Sequence, residues 1–355
     1  MLFRSILWTP ILGKGIKIDF AYRTFRWDSE ASIKAHVHCV IIGFSRTNQT
    51  KRIYDSGQEH IVKNINPYLI EASDVIVGSI SKPLCDVPEI GIGNKPIDDG
   101  NYLFSEEEMN IFIQKEPRSA EYFHPFYGAF EFINQKSRFC LWLGECSPSV
   151  LRQMPECLKR IENVRNFRLA SKSEGTRKIA DTPTRFHVEN MPKSEYIIIP
   201  ETSSERRRYV PMGFMSPDVL CSNAVRLIPN ATLYHFGILT SNVHMAWMRV
   251  VCGRLKSDYR YSKDIVYNNF PWPAITPEQE AEISKTAQAI LDARALYPEC
   301  SLADLYDEVT MPVELRRAHQ ANDRAVMKAY GLPVTTSESD TVAHLFHLYE
   351  ELTKK

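Results

Sequence analysis

The sequence predicts a mixed α+β protein. Three observations carry this: β-branched apolar runs near the start, short strand-like runs scattered through the middle, and capped amphipathic helices at the end. In order, the opening residues read as the end of a helix. IKIDFA at 16–21 alternates apolar with polar or small residues and reads as a strand. An aromatic loop, YRTFRWDSEASIKA, is expected at 22–35. HVHCVIIGF at 36–44 is nearly continuous and apolar, which predicts a strand buried on both faces. The polar turn after it and TKRIYD at 50–55 suggest a hairpin return. Such a strand needs partners on both sides, so most of its sheet is expected to come from elsewhere.

Residues 60–148 read as irregular, punctuated by Asn66-Pro67, Pro83, Pro88, Asp98-Asp99-Gly100 and His124-Pro125. Strand-like pieces lie between them at DVIVGSI (74–80) and FCLWLG (139–144). Residues 150–180 read as helical and basic. Strands are then expected at SEYIIIP (194–200), RYVPMGF (208–214), AVRLI (224–228) and ATLYHFG (231–237). Ser241 can cap a helix whose Val243, Ala246, Trp247, Val250 and Val251 recur at helical spacing.

The last third is clearer. Thr276-Pro277-Glu278-Gln279 combines an N-cap threonine, proline at the first helical position and glutamine at the third, predicting a helix to about Tyr297. Ser301 caps a short helix, and another runs from Pro312 to Gly331 with Pro333 beyond. A final amphipathic helix is expected over 340–352.

With 44% hydrophobic and 24% charged residues, the composition is that of a globular chain rather than a disordered one. No apolar run approaches the roughly 20 residues needed to span a bilayer. The N-terminus lacks a small-residue cleavage site, so a cytoplasmic location is expected. Eight cysteines at irregular spacing read as reduced, mostly buried thiols.

The formal net charge is zero, but it is unevenly distributed. Residues 1–148 hold 16 Lys+Arg against 18 Asp+Glu, residues 149–263 hold 19 against 10, and residues 264–355 hold 8 against 15. A central net of +9 between ends of −2 and −7 is the footprint of a polyanion-binding module.

Two stretches discriminate most: IDFAYRTFRWDSEASIKAHVHCVIIGF at 18–44 and HMAWMRVVCGRLKSDYRYSKDIVYNNFPWP at 244–273. With INPYLI (65–70), CLWL (140–143), IIIPETSSERRRYVPMGF (197–214) and LADLYDEVTMPVELRRAH (302–319), they span nearly the whole chain. The chain resembles the C-terminal part of single-chain Type IIG/IIL restriction–modification enzymes, which fuse a nuclease, an adenine-N6 methyltransferase and a target-recognition domain. The resemblance implies closing strands of a Rossmann-like methyltransferase sheet at 1–56. It also implies a mixed α/β target-recognition domain at 57–273 and a helical C-terminal segment at 274–355. It implies double-stranded DNA as partner, with the upstream methyltransferase/nuclease portion as a second, and no membrane.

The family's Gly-rich S-adenosylmethionine loop and Asn-Pro-Pro-Tyr motif do not appear, and Asn66-Pro67-Tyr68 is read as a turn. No catalytic residue and no bound cofactor are therefore expected in this chain. S-adenosylmethionine belongs to the full-length family. Two alternatives stay open: half of a methyltransferase assembled in trans, or a stand-alone specificity subunit.

The resemblance places a flipped-base stacking aromatic in the loop between the last sheet strands, where Phe25 or Trp27 stands. The run Glu205–Tyr209 reads as extended, so its three arginines should point to alternating faces, Arg206 and Arg208 toward DNA and one toward Glu205. Ser203 and Ser204 suit backbone contacts. Arg254, Lys256, Tyr259, Arg260, Tyr261 and Ser262 interleave cations, tyrosines and a hydroxyl directly after a helix, a mixture suited to phosphate. Of these, Lys256, Arg260 and Ser262 are assigned to phosphate, and base reading to 165–240. His36 and His38 share a strand face but have no third ligand, so no metal site is expected.

Overall fold

The computed structural model describes the backbone of residues 2–28 and 36–354 and the side chains of residues 6–25 and 39–354. The helix Leu2–Leu12 leads into the strand Lys17–Asp28. That strand pairs antiparallel with His36–Ser45 on one side and parallel with Lys51–Asp55 on the other. The expected loop is thus strand as far as Asp28, and residues 29–35 lie outside the described residues.

The expected hairpin between 36–44 and 50–55 does not form. The strand Lys51–Asp55 crosses to the far side of Lys17–Asp28, which sets Ile53 beside Ala21. Both then join Trp8, Ile18, Ile65 and Leu69 in one small core. The hairpin partner is instead Gln58–Val62, joined through Ser56 and Gly57 with φ of 51° and 81°. Two left-handed residues make the turn that matches strand twist. His36–Ser45 stands at the sheet edge with Val40 45%, Ile41 47% and Phe44 52% exposed, not buried on both faces.

The middle of the chain builds two further four-stranded sheets. One orders Gly213–Met215, Tyr196–Pro200, Val225–Pro229 and Gly91–Ile92. The other orders Leu220–Cys221, Phe123–Tyr127, Phe139–Leu141 and Leu103–Phe104. Every residue of Tyr196–Pro200 is buried because both faces are covered. Ile197 and Ile199 enter the largest core, while Tyr196 and Ile198 pack with Cys221, Val225 and Leu227. That two-sided burial explains the unbroken YIII run.

Two other expected strands are something else. DVIVGSI forms no ladder: it lies extended along 264–269, with Ile80 N–H donating to the Asp264 carbonyl at 3.0 Å and Val75 and Val77 buried. ATLYHFG is the helix Leu233–Leu239, opened by a capping box between Thr232 and His235. Its Tyr234, Phe236, Ile238 and Leu239 are all buried, so no polar face marks the helical period. A Cβ at Gly237 would sit 2.6 Å from Ile283, which shows how closely this helix approaches Pro277–Ala295.

The terminal helices lie close to where the sequence placed them, at Pro277–Ala295, Leu302–Leu305, Val313–Ala329 and Glu338–Thr353, the last opened by Ser337, a cap not read from sequence. They share one continuous core with 197–272, joining Trp247 to Phe346 and Tyr349. A second core at 102–186 is anchored by the basic helix Pro155–Leu169. Its Arg168 is fully buried and donates to five backbone carbonyls, those of Pro96, Ile97, Ile179, Thr182 and Arg185.

Candidate nucleic-acid interface

The helix Asn242–Val251, capped by Ser241, runs directly into a β-hairpin, Gly253–Leu255 paired with Asp258–Arg260. Lys256 and Ser257 form its two-residue tip, Lys256 in left-handed conformation at φ 55°. Thr202–Ser203 adds a third strand, so the basic segments 203–208 and 254–262 meet in one small sheet.

Strand alternation sorts the residues of this sheet. Tyr259 and Tyr261 turn inward, at 8% and 2% exposed, so they do not offer their rings or hydroxyls to a ligand as the sequence suggested. Tyr261 bonds His244 Nε2 at 2.9 Å, and burial pushes the His244 pKa down to about 3. Tyr259 lies under Arg254, whose guanidinium carbon is 3.8 Å from the ring centre. Arg254, Lys256 and Arg260 are all exposed, but the register pairs Arg254 with Tyr259 on one face of the hairpin and sets Arg260, opposite Gly253, on the other. Ser203 is likewise buried at 3%, its hydroxyl without a hydrogen-bond partner, whereas Ser204 accepts from Arg206 N–H in a tight turn.

Acidic side chains hold the cations in place. Glu201 takes Arg260 Nε on one oxygen at 2.8 Å and Arg226 on the other at 3.0 Å. With Arg260 58% exposed, this pair fixes orientation more than it stabilises the fold. Glu205 faces Arg254 at 3.8 Å rather than an arginine of its own triplet. The triplet itself turns at Ser204–Arg207 and is not extended. Arg206 and Arg208 are exposed, and among the described residues neither pairs with a carboxylate. Arg207 is half-buried, its pKa lowered by burial against the pull of Asp258 and Asp307.

Sequence reasoning missed Glu201, Arg226, Arg249 and Glu338. Arg249 was visible as a cation in the last turn of an apolar helix, but its partner Glu338, 3.0 Å away, is 89 residues distant in sequence. Ser262 is half-buried and opens the turn Lys263–Tyr267 through its carbonyl. Phe25 is half-buried in a strand, beyond a register shift at Tyr22. The side chains of Trp27, His36 and His38 lie outside the described residues. The described residues hold no group of three potential metal ligands, and no described helix is long and apolar enough to cross a membrane.

A methyl-donor loop needs glycines between a strand and the following helix, where backbone can approach the ligand. Gly13 and Gly15 instead join a helix to the strand after it, and Gly43 lies under the Phe20 ring, where a Cβ would be 2.1 Å from Cε1. None of these three glycines has the placement of a methyl-donor loop.

A stretch like a methyltransferase domain, one like a target-recognition domain and a helical tail follow one another in the order of a restriction–modification family. The chain belongs to the MmeI family. Residues 71–274 match the family model "MmeI, target recognition domain", 275–355 "MmeI, C-terminal domain" and 4–55 "MmeI, DNA-methyltransferase domain". It is 47% identical to the Type IIL restriction–modification enzyme MmeI, whose structure was solved in complex with DNA. That likeness has a TM-score of 0.92 and covers 99% of this chain and 48% of that one. It is 38% identical to DNA methyltransferase A of Bacillus subtilis (strain 168) over 99% of this chain. The chain spans 40% of that relative's length.

Proposed function

We propose that this chain recognises specific duplex DNA sequences and thereby directs adenine-N6 methylation by a catalytic portion that it does not itself contain. The observation that carries this is the hairpin at 253–260, with Lys256 exposed at its tip, Arg254 exposed over the buried Tyr259 and Arg260 exposed on the opposite face. Beyond the third strand, which pairs only with Tyr259 and Arg260, the hairpin continues as a two-stranded tip, and such a ribbon fits the major groove, which is about 12 Å wide. The Ser204–Arg208 turn beside it supplies further cations for the phosphate backbone. Phe25 or Trp27 is assigned to stacking on the flipped base. The division into 1–56, 57–273 and 274–355 and a cytoplasmic location complete the reading.

A second reading, assembly in trans with a separate methyltransferase portion, is favoured by the apolar edge strand His36–Ser45 with Val40, Ile41 and Phe44 exposed. A free edge of this kind is a template for another strand.

Fluorescence anisotropy with a labelled duplex tests the main proposal. Lys256→Ala with Arg260→Ala should weaken binding roughly tenfold at about 0.1 M salt. Equal affinity of the wild-type and doubly substituted chains for duplex would sink the hairpin assignment.

A further inference from the structure

Between the Ser204–Arg208 turn, the helix Asn242–Val251 and the start of the helix Glu338–Thr353 lies a polar cleft of about 450 Å³. Arg206 and Arg208 line it together with Glu205 and Glu308, and among the described residues neither guanidinium is paired with a carboxylate. Arg249, on its wall, is held from two sides. One Nη donates to the Arg208 carbonyl, and the other meets the Glu338 carboxylate at 3.0 Å. Arg249 is 19% exposed and Glu338 is 55% exposed, so a mostly sheltered cation is covered by a carboxylate that reaches in from solvent. Thr336 lines the same space, its hydroxyl donating to the Pro333 carbonyl at 2.7 Å.

We propose that this cleft is a seat for a phosphate group and that Glu338 occupies the phosphate's place until one arrives. A carboxylate and a phosphate present the same charge-assisted acceptors to a guanidinium, and a phosphate can engage several arginines at once where Glu338 engages one. The volume accommodates a phosphodiester together with its water. The source is the backbone of bound duplex, flanking the hairpin contact, and this part rests on the DNA-recognition reading. On entry, the phosphate takes Arg249 from Glu338 and bridges it to Arg206 and Arg208. The tail of the chain thereby takes part in DNA binding without contributing a cation of its own.

The test has two arms, run on the full chain as wild type, Glu338→Gln, Arg249→Ala and Glu351→Gln. In the first, the melting temperature is compared in sodium phosphate and in sodium chloride of equal ionic strength. Phosphate should raise it in the wild type, raise it further in Glu338→Gln and do nothing for Arg249→Ala. Glu351→Gln removes one charge from the far end of the same helix and should match the wild type. In the second, duplex affinity should rise roughly 2- to 5-fold in Glu338→Gln, the range for freeing a surface cation from a competing carboxylate. The salt slope should stay near the wild-type value in Glu338→Gln, because the same phosphate contact forms in both, and should fall by about one in Arg249→Ala.

Absence of any phosphate-specific shift, with duplex affinity unchanged in Glu338→Gln, overturns the seat. A phosphate shift that depends on Glu338 and Arg249, with duplex affinity unchanged in both variants, assigns the seat to a free phosphate and overturns the DNA source. Loss of duplex binding in the Lys256 and Arg260 variant with the phosphate shift intact separates the hairpin reading from this one.

Discussion

Arg168 belongs to the basic stretch 149–263 yet never meets solvent, and replacing it with lysine separates a structural cation from a DNA-contacting one. Its five hydrogen bonds to carbonyls run from 2.8 to 3.0 Å. The Ile179 and Thr182 carbonyls also accept N–H groups from Thr182 and Arg185, so they keep a partner without it. Those of Pro96, Ile97 and Arg185 have only the guanidinium among the described bonds. Each buried carbonyl left unpaired costs about 1–3 kcal/mol, so Arg168→Ala should lose about 3–9 kcal/mol before any void is counted. Lysine has three donors at one point instead of a planar fork of five and should recover about half of that. Against a total stability of about 5–15 kcal/mol, both variants should show a clear drop in urea midpoint with an unchanged m-value. Duplex affinity per folded molecule should stay at the wild-type value. The reasoning fails if Arg168→Lys denatures within about 1 kcal/mol of wild type. It fails equally if the folded variant loses affinity with a shallower salt slope.

Two further outcomes follow from groups already described. Isothermal calorimetry of the chain with S-adenosylmethionine should show no heat of binding, and micromolar affinity would mean that a donor site exists elsewhere than at Gly13, Gly15 and Gly43. His244 is held neutral by burial, its pKa near 3 against an ordinary 6.5, so the unfolded chain takes up the proton first. Stability should therefore fall from pH 6.5 toward 3, by about 1.4 kcal/mol per pH unit for this residue. His319, buried and facing Arg294 and Arg208, acts in the same direction. Asp323, pushed up by burial, acts oppositely as it protonates in the folded state. The melting temperature should drop between pH 7 and 5 in the wild type, and His244→Gln should flatten the drop. A flat wild-type profile would contradict the assignment.

The helical tail was legible because its signals are local. Thr276 with Gln279, Ser301 with Asp304 and Ser241 with the His244 N–H satisfy helix ends within four residues of chain, and the structure forms each cap. The DNA-methyltransferase likeness of the opening strands was legible from residue order along 18–44. Signals failed where a distant contact decides. Nothing in TKRIYD says that Ile53 will prefer Ala21 to a neighbour on 36–45. Nothing in ATLYHFG says that the helix Pro277–Ala295 will cover it on a third side. At the interface the cations were visible as a run, but which tyrosines lie beneath them depends on the strand period of a hairpin whose turn was not recognised. The same holds for Arg249 and Glu338, since an ion pair across 89 residues leaves no mark in composition.

The acidic tail and the basic middle are better understood as one mechanical unit than as two domains of opposite charge. Tyr209 ends the arginine turn, stacks on His319 at 4.1 Å and donates to Asp323 at 2.7 Å. The other Asp323 oxygen accepts the Asn242 N–H at 2.8 Å, at the start of the helix that leads into the hairpin. His319 bonds the Tyr306 hydroxyl at 2.8 Å, and Arg294 reaches from that hydroxyl to the Met212 carbonyl at 2.6 Å. One buried network from the tail thus fixes both ends of the proposed DNA-facing surface, the arginine turn and the root of the hairpin. A charged network buried this deeply is a poor source of net stability compared with apolar packing. It does specify a single arrangement, because each partner is left unsatisfied if the tail shifts by one bond length. Of the tail's carboxylates, Asp323 is turned inward on Tyr209 and Asn242, whereas Glu338, paired with Arg249, and Glu308 line the cleft.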